Sequence, residues 1–314
     1  MSVITPLSRQ QIETFLLEYP QLGELTEFTP TLSGIENTNY FLDLKRPDQI
    51  DQRCVLTLFE QLSEQQLPFY NELLLELAER SLPVPAPIVN KRGETLGHIQ
   101  NKPVILAPCF KGRHPNQVSV EQCREMGTFL GRMHQITVSS HATQANPKNL
   151  RWMESSLDYL GPYLNSANQQ LLKSELKTYK LAESRFNKLP AGIVHADLFR
   201  DNALFDCDKL TGVIDFYSAC SAPLLYDLAV VANDWCHMNG KFDSALTAAL
   251  LQAYELERVL GQNEREIWPM MLRFAACRFW ISRLLGCHPV VPNKPSKDPQ
   301  EFRQILMQRI ASIS

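Results

Sequence analysis

Two short apolar segments, each delivering an aspartate, interrupt the helical pattern of the later part of this chain. The first reads Ile193-Val194-His195-Ala196-Asp197-Leu198-Phe199-Arg200-Asp201-Asn202. It is a strand-like piece running into a His-x-Asp, with an asparagine five residues after the aspartate. The second, Val213-Ile214-Asp215-Phe216-Tyr217, places its aspartate thirteen residues beyond that asparagine. A lone His-x-Asp says little, and an aspartate after an apolar run is often a turn residue. Strand, His-x-Asp-x-x-x-x-Asn, strand and Ile-Asp-Phe in that order are far harder to obtain by accident.

The rest of the chain supplies the setting. In the first third, Ser8 with Gln11 forms a capping box ahead of Ile12, Phe15, Leu16 and Tyr19. Strand-like runs follow at 24–32, 38–44 and 53–59. The last puts Val55, Thr57 and Phe59 on one face and Cys54, Leu56 and Leu58 on the other. A helix is expected over 67–82, with Pro68 in its first turn, and two strands around the Lys91–Glu94 turn. The apolar run 103–109 reads as a buried strand. After Lys111-Gly112-Arg113 the pattern turns helical. Ser119 with Gln122 opens one helix, and another is expected over 169–189. From Asp227 onward the chain reads as helices broken near Gly240, Gly261 and residues 289–299. The expected fold class is α+β, with a sheet-rich part over residues 1–108 and a helical part over 109–314.

Composition narrows the function. The chain has 314 residues, 44% hydrophobic and 21% charged, with 31 Lys+Arg against 34 Asp+Glu. A net charge of −3 lacks the basic excess of a nucleic-acid binder. No run approaches the ~20 apolar residues of a membrane span, and the N-terminal stretch does not have the pattern of a signal peptide. The eight cysteines contain no C-x-x-C pair. They read as reduced packing residues of a cytoplasmic protein.

Phosphoryl transfer needs a carboxylate to orient the attacking hydroxyl and take its proton. It also needs hard oxygen ligands for Mg²⁺ on the nucleotide phosphates. The loop from Asp197 to Asn202 can offer a carboxylate and an amide oxygen from one turn, and Asp215 a further carboxylate. His195 reads as a buttress for the loop.

These segments resemble the catalytic loop and metal-binding aspartate of protein-kinase-like small-molecule phosphotransferases, which include aminoglycoside phosphotransferases, choline kinases and one class of bacterial homoserine kinase. The wording HADLFRDNALF, GVIDFYSAC, LLYDLAV, LSGIENTNYFL, VLTLFE and RFAACRFWISRLLG is most similar to the homoserine kinases, and the likeness runs from about Thr5 to Arg309. The resemblance implies a bilobal kinase-like fold with an ATP cleft, ATP and Mg²⁺ as cofactors, and L-homoserine as the small-molecule substrate. It implies Asp197 as catalytic base, Asn202 and Asp215 as Mg²⁺ ligands, and Asp227 as a structural prop of the loop. Helix capping would account for Asp227 equally well. Ser33, Gly34 and Asn37 fall where the phosphate-covering loop belongs, although with one glycine. Adenine would be read by backbone near Ala107 and Cys109, with Leu56 and Ile105 against the ring.

One departure stands out. Thr57 occupies the position of the usual phosphate-binding lysine, which leaves Glu72 without its expected partner; Lys45 and Arg53 are nearby cations. For the substrate, an ammonium needs carboxylates, for which Asp201 and Asp234 are candidates, with Tyr217 and Trp235 offering aromatic faces. A carboxylate needs an arginine. Arg278 and Arg283 lie in an apolar helix, on different faces. Structural ion pairs would explain either one. Trp268, Phe279 and Trp280 read as core. Another small-molecule kinase (choline, methylthioribose or aminoglycoside-type) and a nucleotide-binding pseudokinase both remain open, as do a monomer and a homodimer.

Overall fold

The computed structural model describes residues 4–31, 37–46, 48, 51–138, 142–287 and 297–312. The chain forms two compact units, Met1–Lys111 with Gly212–Ile214, and Gly112–Thr211 with Asp215–Ser314.

In the first unit α1 (Arg9–Leu16) is closed by the expected reciprocal Ser8/Gln11 box. It buries Ile12, Phe15 and Leu16, the i, i+3, i+4 stripe of one helix face. The strands β1 (Glu24–Pro30), β2 (Asn37–Lys45) and β3 (Asp51–Phe59) follow, then α2 (Leu67–Glu79), β4 (Gly97–Ile99) and β5 (Lys102–Pro108). Together they make one antiparallel sheet of order β1-β2-β3-β5-β4. Helix α2 ends three residues before the expected Leu82, because Ser81 takes a left-handed φ of +62°. Of the two strands expected around the Lys91–Glu94 turn, the following one forms as the short β4, and the preceding one does not. Pro83, Pro85 and Pro87 remove the N–H groups a ladder would use. The Asn90 side chain instead accepts the N–H groups of Arg92 and Glu94, at 2.8 and 3.0 Å. The hairpin turns ten residues later, at Gln100-Asn101, both at positive φ. That is the conformation two-residue hairpins favour. The backbone of Val213 is tied into this unit by its N–H on the Pro83 carbonyl at 2.8 Å.

The second unit is mainly helical. It begins with α3 (Val120–Thr137), α4 (Leu150–Leu160) and α5 (Ser166–Phe186), and then β6 (Ala191–Val194), β7 (Ala203–Asp206), β8 (Lys209–Val213) and β9 (Cys220–Pro223). After these come α6 (Leu225–Asp234), β10 (His237–Met238), β11 (Lys241–Phe242), α7 (Ser244–Glu257), α8 (Gln262–Gly286) and α9 (Pro299–Ala311). Strand β6 pairs antiparallel with β9, and β7 with β8. The sequence had signalled only β6 and β8 of these four. The break expected near Gly240 is a small β10–β11 hairpin. Helices α3 and α7 pack at close range through Gly127 and Gly131. A Cβ on Gly127 would lie 2.3 Å from the Leu250 carbonyl oxygen, and one on Gly131 2.9 Å from that of Tyr254. All ten residues of α6 are buried, so this helix is the axis of the unit. The antiparallel sheet followed by helices is the expected α+β class. The first unit ends at Lys111 and takes in Gly212–Ile214 from the later part of the chain.

All eight cysteines are free thiols. Five are buried, but Cys207 and Cys287 are exposed, so those two are not packing residues. Among the described residues no helix is long and apolar enough to cross a membrane.

Candidate active site

Strand β6 hands its last residue to a tight loop. Ala196 sits at φ +66°, a left-handed conformation that costs a residue with a Cβ about 1 kcal/mol. The buried Asp227 carboxylate holds it there. One oxygen accepts the N–H of His195 at 2.6 Å and the other that of Ala196 at 2.8 Å. Asp227 is the third residue of α6 and makes no cap to its own helix, so the loop contacts, not capping, are its role. His134 Nε2 lies 3.4 Å from the same carboxylate. Its Nδ1 bonds the Tyr254 hydroxyl at 2.8 Å, and Arg258 links that hydroxyl to Glu264 at 3.0 and 2.9 Å. A buried polar chain thus runs from the loop to the α7–α8 junction.

Two further residues of α6 and its end pin the loop. Trp235 Nε1 donates to the Leu198 carbonyl at 3.2 Å. Asp234 accepts the Arg200 N–H at 2.8 Å and holds the Arg200 guanidinium through both oxygens, each at 3.2 Å. Residues 227, 234 and 235 lie two turns apart, on one face of the helix. That periodicity was visible in the sequence, but which partner it faced was not.

Within the loop, Asp197 donates its N–H to His195 Nδ1 at 3.3 Å. This places the imidazole proton on Nε2. The His195 ring is buried against Phe216, centroids 4.5 Å apart. Asn202 donates its amide NH₂ to the Asp197 carbonyl at 2.8 Å. That bond orients the amide and turns its oxygen away from the loop backbone. Asp197 itself is half-buried, and no described side chain hydrogen-bonds its carboxylate. Burial raises its pKa, and the positive charges of Arg278, first, and of Lys148 and Lys297 oppose the rise. Asp215 follows β8 at φ +65°, with an exposed carboxylate. Tyr217 is half-buried two residues on; burial and the Asp215 charge push its hydroxyl pKa up.

The residues expected to bind substrate separate. Asp234 is committed to Arg200, and Trp235 is fully buried under the loop, so neither presents itself to a ligand. Asp201 is exposed and pairs with Lys297 at 2.5 Å. Arg283 bonds Glu301 at 2.5 Å and the Asp298 carbonyl at 3.0 Å, and lies over the Phe302 ring; it is a structural clamp between α8 and α9. Arg278 is 3% exposed, and its Nη1 has no hydrogen-bond partner among the described residues. Phe279 and Trp280 are core, whereas Trp268 is only half-buried.

In the first unit, Ser33 and Gly34 lie outside the described residues. Asn37 opens β2 opposite Phe59. Leu56 does not face a ligand. It is fully buried in the cluster formed with Ile12, Phe15 and Leu42. Strand alternation puts Val55 and Ala107, which are cross-strand partners, on the opposite face. The Cys109 N–H is held by the Arg53 carbonyl at 3.2 Å. Backbone groups pointing the other way belong to the alternate residues, Pro108 and Phe110. Thr57 is buried, and Glu72 is exposed. Arg53 is bidentate to Asp43 at 2.6 and 2.7 Å, and Lys45 pairs with Asp51 at 3.1 Å. Lys102, which the sequence did not single out, bonds Glu60 and the Thr5 hydroxyl.

A half-buried carboxylate that no described side chain hydrogen-bonds, on the same loop as an amide held by that loop's backbone, offers the kinds of group that phosphoryl transfer uses. Comparison with known proteins agrees. Residues 27–266 match the Phosphotransferase enzyme family. A homoserine kinase of Methylobacillus flagellatus is 40% identical, over 99% of this chain and 96% of its own length. One of Pseudomonas aeruginosa is 41% identical, over 98% and 96%. Among solved structures, an amicoumacin kinase in complex with AMP-PNP and Ca²⁺ superposes with a TM-score of 0.69. It is 15% identical and covers 98% of this chain and 93% of its own. An aminoglycoside 2'-phosphotransferase with GDP gives 0.65 at 14% identity, covering 97% and 98%. These two likenesses are of fold. The chain belongs to the phosphotransferase enzyme family, in the branch of the homoserine kinases.

Proposed function

We propose that this chain is a homoserine kinase, transferring the γ-phosphoryl group of ATP to the side-chain hydroxyl of L-homoserine. The observation that carries the reading is the end-to-end match, near 40% identity, to homoserine kinases. The loop geometry supports it. Asp197 orients the homoserine hydroxyl and accepts its proton as the oxygen bonds to the γ-phosphorus. The bond from that phosphorus to the bridging oxygen breaks, and ADP leaves with the electron pair. The products are ADP and O-phospho-L-homoserine, an intermediate on the way to threonine. His195 and Asp227 hold the loop and take no proton.

The donor set around the loop fits Mg²⁺. Asn202 offers an amide oxygen and Asp215 an exposed carboxylate, both hard ligands, and the remaining positions suit water and phosphate. Bound there, the ion would neutralise charge on the nucleotide phosphates. For the nucleotide, the reading uses the apolar face bearing Val55 and Ala107, and moves adenine recognition to the Pro108 carbonyl and the Phe110 N–H. Asn37 and the segment around Ser33 and Gly34 remain the proposed phosphate-contacting stretch. The substrate ammonium is assigned to Asp201, whose exposed pairing with Lys297 is of a kind worth about 0–1 kcal/mol and easily exchanged. Free thiols throughout suit a cytoplasmic location.

The test is ADP release from the purified protein with L-homoserine, choline, ethanolamine, methylthioribose and an aminoglycoside. Turnover strongly favouring L-homoserine is expected. No turnover of any alcohol, together with ATP binding, would instead identify a pseudokinase.

A further inference from the structure

Two buried polar groups close to Asp197 lack a hydrogen-bond partner among the described residues. One is Arg278 Nη1, the other the hydroxyl of Tyr226, which is 4% exposed. An unpaired guanidinium and an unpaired hydroxyl inside a protein are each costly. Such groups call for a partner from outside the chain, a ligand or an ordered water.

The two belong to one place. Tyr226 immediately precedes Asp227, whose carboxylate holds the two residues before Asp197. Its ring packs on Phe274 of α8, centroids 6.1 Å apart. Arg278 lies one turn further along that helix, on the same face. The Arg278 guanidinium stacks over Phe279 at 4.0 Å, and Phe279 packs edge-on against Phe199, two residues after Asp197. The electrostatics point the same way. Arg278 is the leading positive charge acting on the Asp197 carboxylate, which places its guanidinium within electrostatic reach of the loop. A guanidinium and a phenol together offer an anion donors of two kinds, one charged and one neutral.

We infer that Tyr226 and Arg278 together form a buried two-point site for the carboxylate of the alcohol substrate, and that this site separates amino-acid alcohols from simple amino alcohols. This rests on the kinase reading above and deepens it: the substrate class is a hydroxy acid, held by the acid group while Asp197 meets the hydroxyl.

The experiment compares L-homoserine with 3-aminopropan-1-ol, which keeps the amine and hydroxyl but lacks the carboxylate. In Arg278→Met, kcat/KM for L-homoserine should fall by about 30- to 100-fold, and in Tyr226→Phe by about 5- to 10-fold, the size of a lost charged and a lost neutral hydrogen bond. Measured at a pH above the acid limb of every variant, turnover of 3-aminopropan-1-ol should stay within about twofold in both, because it never used the site. Equal losses on both alcohols, in either variant, overturn the inference and make the residues structural. Tyr226→Phe removes one oxygen atom and keeps the ring, so it carries the test if Arg278→Met fails to fold. If the unaltered enzyme uses both alcohols equally well, this inference fails while the kinase reading stands. If it does not phosphorylate L-homoserine at all, the kinase reading fails first.

Discussion

The Asp227 carboxylate accepts the backbone N–H of Ala196 at 2.8 Å, and Ala196 is the left-handed residue immediately before Asp197. A buried charge on one helix therefore fixes the backbone torsion that aims the proposed base. Its other oxygen takes the N–H of His195, so the loop is held at two consecutive residues.

Removing that carboxylate should cost both stability and turnover. Asp227→Ala orphans two buried N–H groups, at about 1–3 kcal/mol each. Asp227→Asn keeps the shape but can accept only through one oxygen, and should fall between the wild type and Asp227→Ala. Thermal unfolding and kcat, measured together, check the order. Equal stability in all three proteins would show that the loop holds itself.

Asp197→Asn should lower kcat by about 10²–10⁴-fold, the range of a lost general base, while ATP affinity barely moves. Stability should go the other way. Burial raises the Asp197 pKa, so the fold favours its protonated form. The stability this gives is present below the ordinary carboxylate range and is lost as pH rises through the folded pKa. At neutral pH the wild type bears the cost of the ionised group, and Asp197→Asn should melt higher. The gap should close on acidification. In activity the sign reverses: the base must be ionised, so the acid limb of the kcat/KM profile should lie above the ordinary aspartate pKa. Arg278→Met removes the leading opposing charge and should move that limb to higher pH, read with 3-aminopropan-1-ol.

Asp234→Ala leaves the Arg200 guanidinium half-buried without its partner, a loss of about 3–5 kcal/mol for buried pairs. The double variant Arg200→Met/Asp234→Asn, whose amide oxygen still accepts the residue-200 N–H, should recover most of that stability. If Asp234 bound the substrate ammonium instead, the double variant would regain its melting temperature and keep a raised KM for L-homoserine. Recovery of both is expected.

Glu72→Gln should change little. Glu72 is exposed, and Thr57 stands where its cationic partner would be. A surface change of this kind falls within about ±0.5 kcal/mol, and kcat should stay within about twofold. A large loss of activity would mean that another cation reaches Glu72 during turnover.

Much of the site was legible because its chemistry is local in the chain. Asp197 and Asn202 sit five residues apart on one loop, and Asp215 ends a nearby apolar run; that order carries the resemblance to phosphotransferases, and the resemblance implies their roles. The two capping boxes and the strands at 37–45 and 51–59 were legible for the same reason. The hairpin at Gln100-Asn101 was missed because it depends on two non-glycine residues accepting positive φ, which composition does not announce. Leu56 was misassigned to the nucleotide because alternation tells that 54, 56 and 58 share a face, but not which face α1 covers.

The sequence by itself determined the class of this protein: its α+β order and its kinship with homoserine kinases. Tertiary structure decided which of several equivalent charges are available. Asp234 and Arg283 have the same residue types as Asp201 and Arg278, and nothing in the linear pattern separates them. Packing gives Asp234 to Arg200 and Arg283 to Glu301, and leaves the Arg278 Nη1 and the Tyr226 hydroxyl without hydrogen-bond partners among the described residues. A side chain's availability depends on partners distant in the chain, and only the folded molecule brings them together.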